Sequence, residues 1–190
     1  MANIMHSRVL DITKTALVVI DIQEAFRHAI GDFSVIASRA SMAVRGFQIL
    51  GLPILITEQY PKGLGRTAEE ILFSLPPEPE FEFIEKTAFS SCGASGFLEK
   101  LEAGGVKQVV LCGLEAHICV NQTAHDLLAN DYEVHLLTDC TGSRFGHDKQ
   151  AGLAKMQESG AVSSSMEMAL FELLRDAEHE QFKEIQNLVK

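Results

Sequence analysis

The chain has 190 residues, of which 46% are hydrophobic and 22% are charged, a composition typical of a soluble globular protein. Its 16 basic and 26 acidic residues give a formal net charge of −10, which argues against a general binder of nucleic acid or of anionic membranes. No stretch approaches the roughly 18 apolar residues of a membrane span, and the first residues lack the apolar region of a secretory signal. We therefore expect one domain over residues 1–190, with a core at about 14–176 and a C-terminal helix at 178–190.

Strand-like and helix-like stretches alternate along the chain. The predicted strands are residues 16–21, 53–58, 81–86, 108–112, 133–138 and a short one near 161–163. The predicted helices are residues 33–50, 94–103, 117–130, 148–158 and 166–176, and residues 76–79 form a loop. Strands and helices in this order, with apolar strands, predict a parallel sheet that helices cover on both faces.

Three chemically complementary side chains follow strands of this sheet at one edge. Asp21 ends the first strand, Lys86 ends the third, and Cys119 comes shortly after the fourth strand ends at Gly113. Active sites of parallel sheets form beyond the carboxyl ends of the strands, and an acid, a base and a nucleophile are what thiol-based hydrolysis requires. Each residue has an alternative interpretation: a turn cap for Asp21, a solvated surface charge for Lys86, and inert packing for Cys119.

The position of Cys119 near the start of a predicted helix bears on its chemistry. Unpaired backbone N–H groups at a helix N-terminus favour a thiolate and can also hold a developing oxyanion. The four cysteines, at positions 92, 112, 119 and 140, show no C-x-x-C spacing of a zinc ribbon or a thioredoxin motif. Reduced thiols in a cytoplasmic enzyme are the natural interpretation.

Three segments carry a family resemblance: VVIDIQ around Asp21, KTAFSS beginning at Lys86, and GLEAHICV around Cys119. They resemble the signature segments of the isochorismatase-like cysteine hydrolases, in the same order and spacing and over about the whole chain. The segments TEQYPKGLG at 57–65 and QFKEIQ at 181–186 are similar to the isochorismatase-domain-containing proteins of undefined substrate.

The resemblance implies a fold, a site and a chemistry. The fold is a three-layer α/β/α sandwich with a six-stranded, Rossmann-like parallel sheet, and the site is a triad of Asp21, Lys86 and Cys119. A cis peptide bond would lie between Leu114 and Glu115, and the backbone N–H groups of Glu115 and Cys119 would hold the oxyanion. The expected reaction is hydrolysis of a small amide or related bond through a Cys thioester, without a cofactor, in a homo-oligomer.

Departures from family patterns bear on the substrate. Metal-binding nicotinamidases carry Asp-x-His after the second strand, whereas this chain has TEQY at 57–60, so we expect no metal site. His125 and His147 are interpreted as helix surface and cap rather than as ligands. Isochorismatases that cleave a vinyl ether commonly have another residue at the cysteine position, so Cys119 favours C–N hydrolysis.

The surroundings of the site leave several interpretations open. Phe26, Tyr60 and Phe89 adjoin the motifs and are candidate pocket walls, although such aromatic residues are more often core. His117 either contacts substrate or caps the helix. The alternative functions are a vinyl-ether hydrolase, a non-catalytic interaction module that retains the triad, and a redox sensor in which Cys112 or Cys140 resolves Cys119.

The final predicted helix carries one apolar stripe, formed by Phe182, Ile185, Leu188 and Val189. Such a stripe either packs on its own domain or forms a contact between copies. We expect a dimer or a larger closed assembly, with a small molecule as substrate and with neither nucleic acid nor membrane as a partner.

Overall fold

The computed structural model describes residue 6 and residues 8–75 and 83–190. These ranges contain one six-stranded parallel sheet in the order β3-β2-β1-β4-β5-β6. The strands are β1 Thr15–Ile20, β2 Ile54–Gln59, β3 Ile84–Lys86, β4 Gln108–Leu114, β5 Glu133–Gly142 and β6 Val162–Ser164. The predicted fold class, a parallel sheet with flanking helices, is confirmed.

Eight α-helices accompany the sheet in the described ranges. They are α1 Phe33–Ile49, α2 Pro61–Leu64, α3 Glu69–Leu72, α4 Phe97–Ala103, α5 Asn121–Ala129, α6 Gly146–Glu158, α7 Met166–Leu174 and α8 Phe182–Val189. Short 3-10 turns lie at Glu24–Phe26 and Ser91–Gly93, and a π-helical turn spans Ala116–Val120. None of these helices is both long and apolar enough to cross a lipid bilayer.

The sheet separates two hydrophobic layers. Along β1, Leu17 and Val19 join the cluster under α1, α7 and α8, whereas Val18 and Ile20 join the cluster under α4, α5 and α6. Alternate side chains of a strand point to opposite faces, so a strand buried on both faces is apolar throughout. This explains why the central strands have unbroken apolar sequences.

Several element boundaries differ from the sequence prediction. The helix predicted at 94–103 begins at Phe97, because Gly96 in the left-handed region separates it from the preceding turn. The strand predicted at 133–138 runs on to Gly142 and pairs with β4 across a register shift. Residues 81 and 82 of the predicted third strand, and the predicted loop at 76–79, lie outside the described residues. The short helices α2 and α3 were not predicted.

The C-terminal helix α8 packs on its own chain. Ile185 is completely buried in the cluster under α1 and α7, and the other three residues of its apolar stripe pack against that cluster while partly exposed. Of the two uses predicted for this stripe, the intramolecular one is therefore the one that the structure shows.

Candidate active site

The three candidate catalytic side chains meet at the carboxyl edge of the sheet. Asp21 directly follows β1, Lys86 ends β3, and Cys119 lies in the π-helical turn after β4. Lys86 Nζ is 2.6 Å from Asp21 Oδ2, and the two side chains are 0% and 1% exposed. The Cys119 side chain is 7% exposed and lies close enough to both of these groups for their charges to act on its thiol. The cluster therefore brings a carboxylate, an ammonium and a thiol together.

Asp21 is held from the backbone and through both carboxylate oxygens. Its φ of 51° lies in the left-handed region, which Asp tolerates better than most residues. Its N–H donates to the Thr57 carbonyl at 3.2 Å, and Thr57 Oγ1 donates to Oδ1 at 2.7 Å. Because Lys86 donates to the other oxygen, the carboxylate has a fixed orientation beside the thiol.

The Lys86 ammonium has several acceptors around it. Besides Asp21, it donates to Gln59 Oε1 at 2.7 Å, to the Phe89 carbonyl at 3.0 Å and to the Ala88 carbonyl at 3.4 Å. Gln59 and Lys86 are register partners on β2 and β3, which explains why their side chains meet. Buried ammonium groups need such partners, so this set accounts for a lysine without surface exposure.

Burial is the largest influence on the Cys119 thiol. Burial and the Asp21 carboxylate together raise the pKa of this thiol to about 12, although Lys86 acts in the opposite direction. Burial therefore opposes the thiolate that a position near a helix N-terminus favours. Attack by this sulfur requires a base within reach, and the Asp21 carboxylate lies near enough to act on the thiol.

The segment between β4 and Cys119 is fixed around Glu115. The Leu114–Glu115 peptide bond is cis. The Glu115 carbonyl accepts from the N–H groups of Ile118 and Val120 at 3.0 and 3.2 Å. Its buried carboxylate accepts from the backbone N–H and Nε of Arg144, both at 3.0 Å. The loop that follows β5 is thereby tied to the turn that carries Cys119.

Gly113 controls how closely β1 and β4 approach each other. It pairs with Ile20, the residue before Asp21, and has a φ of 130°. A Cβ at this position would lie 2.0 Å from the Ile20 carbonyl oxygen. Only glycine has both the conformational freedom and the absence of a side chain that this contact requires.

The predicted pocket residues occupy different surroundings. Tyr60 and Phe89 are 54% and 53% exposed and lie beside Lys86, since the Tyr60 N–H donates to the Lys86 carbonyl at 2.8 Å. A cavity of about 400 Å³ adjoins Tyr60 and Lys86. Phe26 is partly buried against the cluster under α1, so its role as a pocket wall stays a prediction.

His117 is engaged by residues that follow β5. Its Nδ1 is 3.1 Å from Ser143 Oγ, and its Nε2 is 3.9 Å from Asp148 Oδ2 in α6. These contacts hold the ring at the carboxyl edge of the sheet. Its contact with substrate stays a prediction.

Sequence analysis did not identify Thr57 and Gln59 as members of the site. Both are at the end of β2, which lies between β1 and β3 in the sheet, so their side chains reach Asp21 and Lys86. The available signal was the strand order: the residues that end a strand between two site-bearing strands must flank the site.

An acidic residue near the end of β2 is used for hydrogen bonds within the chain. Glu58 Oε1 accepts from the N–H and Oγ1 of Thr67 at 2.6 and 2.7 Å. Over residues 8–75 and 83–190, no three His, Cys, Asp or Glu side chains lie together as a protein metal site would require.

The sheet order and its flanking helices define an α/β protein with an isochorismatase-like hydrolase fold. The family model of the isochorismatase domain matches residues 15–168, and the chain belongs to this family, as the sequence motifs predicted.

Known proteins resemble the chain over most of its length. Isochorismatase domain-containing protein 1 of Salmo salar is 42% identical over 170 residues, which cover 90% of this chain and 59% of that protein. Isochorismatase domain-containing protein 2 of Macaca fascicularis is 40% identical over 176 residues, or 92% of this chain and 82% of that protein. The structure of MAR1 ribonuclease from Caenorhabditis elegans has a TM-score of 0.90 and 34% identity, covering 95% of this chain and 92% of that one. The chain thus spans about three fifths of the length of the salmon relative.

Proposed function

We propose that the chain is a cysteine-dependent hydrolase that cleaves a small amide or a related bond through a thioester. The observation that carries this proposal is the buried ion pair of Lys86 and Asp21 beside the Cys119 thiol. Burying an ion pair beside a thiol costs folding free energy. Titratable groups in such surroundings are concentrated at functional sites. The family membership supports hydrolysis as the class of reaction.

The first step moves a proton from Cys119 to Asp21. Negative charge then passes from the carboxylate to the sulfur, while the Lys86 ammonium stays next to both, so the net charge of the site does not change. No charge has to be created in a buried place, which keeps the cost of forming the thiolate low despite the raised pKa of the thiol.

The sulfur then attacks the carbonyl carbon of the substrate. A C–S bond forms, and the carbonyl electron pair moves to oxygen, where the backbone N–H groups of Glu115 and Cys119 would stabilise it. A well-aimed donor of this kind supplies on the order of 3 kcal/mol of transition-state stabilisation. When the intermediate collapses, the C–N bond breaks and Asp21 gives its proton to the leaving amine.

Water completes the cycle. Asp21, again a carboxylate, takes a proton from water, whose oxygen attacks the thioester carbonyl. The C–S bond breaks, the acid product leaves, and Cys119 recovers its proton from Asp21. Through both halves, Lys86 would hold the carboxylate and the sulfur at a constant separation.

The surroundings of the sulfur favour a small substrate. Cys119 is 7% exposed, so only a compact acyl group can reach it, and the half-exposed aromatic residues Tyr60 and Phe89 adjoin Lys86 through their backbones. Since the three central side chains have no net charge together, a neutral acyl group fits the site better than a charged one.

Residues 92, 112, 119 and 140 are free thiols, and we place the enzyme in the reducing cytoplasm on that account.

Cleavage of RNA is a second candidate, because one relative at 34% identity is named a ribonuclease. The net charge of −10 opposes it, since phosphate backbones bind to positive surfaces. A short RNA therefore belongs in the substrate panel as a direct comparison.

The test is a panel of small amides, imides, carbamoyl compounds, a vinyl ether and a short RNA. We expect turnover of a C–N compound that Cys119→Ala lowers by roughly a thousandfold or more. Cys112→Ala removes another buried thiol, on β4, and should retain turnover. Turnover that survives in Cys119→Ala would exclude the thioester route, and absence of all turnover would favour an interaction module.

A further inference from the structure

We propose that Gln59 is a positioning residue, which holds the Lys86 ammonium between Asp21 and Cys119 and so controls how readily the sulfur loses its proton. This inference concerns the same site as the proposed hydrolase function and rests on it for its biological meaning. Its chemical content, a fixed cation beside a thiol, can be measured without any substrate.

The first argument is the geometry of the ammonium. An ammonium has three N–H groups, and the three shortest contacts of Lys86 are with Asp21, Gln59 and the Phe89 carbonyl, at 2.6, 2.7 and 3.0 Å. Asp21 attracts the Lys86 nitrogen in one direction, and the Gln59 and Phe89 oxygens hold it in other directions. Without Gln59, the remaining side-chain partner would be the carboxylate, and the ammonium would be free to turn toward it.

The second argument is that the Gln59 side chain has a single orientation. Its Nε2 donates to the Thr87 carbonyl at 2.9 Å, so its oxygen has to point the other way, toward Lys86. A side-chain amide whose two ends both have partners cannot flip without losing two hydrogen bonds. The loop after β3 therefore fixes the orientation of the Gln59 oxygen that accepts from Lys86.

The third argument is that the Gln59 backbone is also clamped. Gln23 Oε1 accepts from the Gln59 N–H at 2.8 Å, and Gln23 Nε2 donates to the Gln59 carbonyl at 3.1 Å and to the Gly65 carbonyl at 2.7 Å. Gln23 is completely buried. The segment after β1 thus fixes the end of β2, and the end of β2 fixes the cation at the end of β3.

The charge of the acceptor is the fourth argument. Gln59 accepts a hydrogen bond without adding a negative charge, so the positive charge of Lys86 remains available to the sulfur. A carboxylate of the same length would also hold the ammonium, but it would neutralise it and repel a thiolate. An amide at this position therefore holds the ammonium in place without neutralising its positive charge.

The experiment measures the rate at which iodoacetamide alkylates Cys119, by mass spectrometry, as a function of pH. Gln59→Glu keeps the shape and adds a charge, and Gln59→Leu removes the acceptor. We expect both variants to slow Cys119 labelling, by roughly tenfold at about pH 8, and Gln59→Glu to move the pH profile upward. Cys92 in the same sample is the internal reference and should keep its rate.

Gln108→Leu is the matched control. Gln108 is equally part of the sheet and completely buried, with Oε1 accepting from the Asp11 N–H at 2.6 Å, but it lies at the opposite end of β4 from the site. We expect this variant to lose stability and to keep the Cys119 profile. A profile that shifts equally in Gln108→Leu would mean that loosening of the fold, and not the position of Lys86, changes the thiol.

The outcomes separate this inference from the proposed function. Wild-type labelling in both Gln59 variants, or faster labelling in Gln59→Leu, would overturn the positioning role even if amide turnover had been found. Slower labelling in both, together with an unchanged Gln108→Leu profile, would establish the role even if the substrate panel had given no turnover.

Discussion

Lys86 is a charged side chain without exposed surface, and the whole chemistry of the site depends on what surrounds it. Its partners are one carboxylate, one side-chain amide and two backbone carbonyls. Removing the carboxylate partner of a buried pair usually costs about 3–5 kcal/mol, because an uncompensated charge remains. Variants of Asp21 and Lys86 therefore need a measurement of unfolding beside each measurement of activity.

Asp21→Asn should separate the two effects of the carboxylate on Cys119. In the proposed mechanism Asp21 is the base, so we expect its loss to lower turnover by roughly a hundredfold or more. As a negative charge, it raises the pKa of Cys119, so its removal should lower that pKa and speed alkylation near neutral pH. Parallel measurements of turnover and of Cys119 labelling by iodoacetamide decide the matter.

The contrary result for Asp21→Asn would be slower labelling in proportion to the lost turnover. The carboxylate would then act mainly by holding the site together. Lys86→Met is the companion variant, because it removes the cation that favours the thiolate, and its labelling should be slower than that of the wild type.

At the residue scale, sequence reasoning located the three side chains that meet and not those that hold them. Asp21, Lys86 and Cys119 could be predicted, because each stands at or near the end of a predicted strand. Thr57 and Gln59 could not, because their importance depends on which strands are neighbours and on the register between them. Chemical type and strand ends are readable from a sequence, whereas the identity of a cross-strand partner is not.

At the scale of elements, β5 contains a polar residue at a fully buried position. His135 is 0% exposed, and neither of its ring nitrogens finds a hydrogen-bond partner among the described residues. Burial lowers its pKa to about 4. The strand therefore carries a neutral imidazole that the folded state is unable to protonate near neutral pH.

His135 should make the protein less stable in mild acid. Below about pH 6.5 the unfolded chain binds a proton at this residue, and the folded chain does not until the pH approaches 4, so stability falls across that interval. His135→Leu should remove this loss and gain about 2 kcal/mol at about pH 5 relative to neutral pH. Urea unfolding at both pH values measures it, with exposed His28→Leu as control.

The elements themselves were predicted to different degrees. The apolar strands and the long helix α1 were predictable from periodicity, because both are buried and continuous. The π-helical turn before α5 was not, since its hydrogen bonds to the Glu115 carbonyl depend on the path of the chain after β4. Short helices such as α2 were also not predicted from the sequence, because four residues are too few to show a helical periodicity.

At the scale of the whole molecule, the expected assembly is a dimer or larger. Light scattering at micromolar concentration should give a multiple of 20.8 kDa, and a mass equal to that of one chain would contradict the expectation.

Because Ile185 of α8 is buried within its own chain, Ile185→Ala should lower the free energy of unfolding by about 2–4 kcal/mol. Glu184→Ala, exposed on the same helix, should leave the stability unchanged.

The close approach at Gly113 limits how this fold can vary in evolution. The residue pairs the strand that leads to Asp21 with the strand that leads to Cys119, and even one methyl group there would overlap the Ile20 carbonyl. The approach of these two strands thus depends on the absence of a side chain at Gly113. New substrate preferences must then arise in the loops beyond the strand ends, since the junction beneath them offers no acceptable substitution.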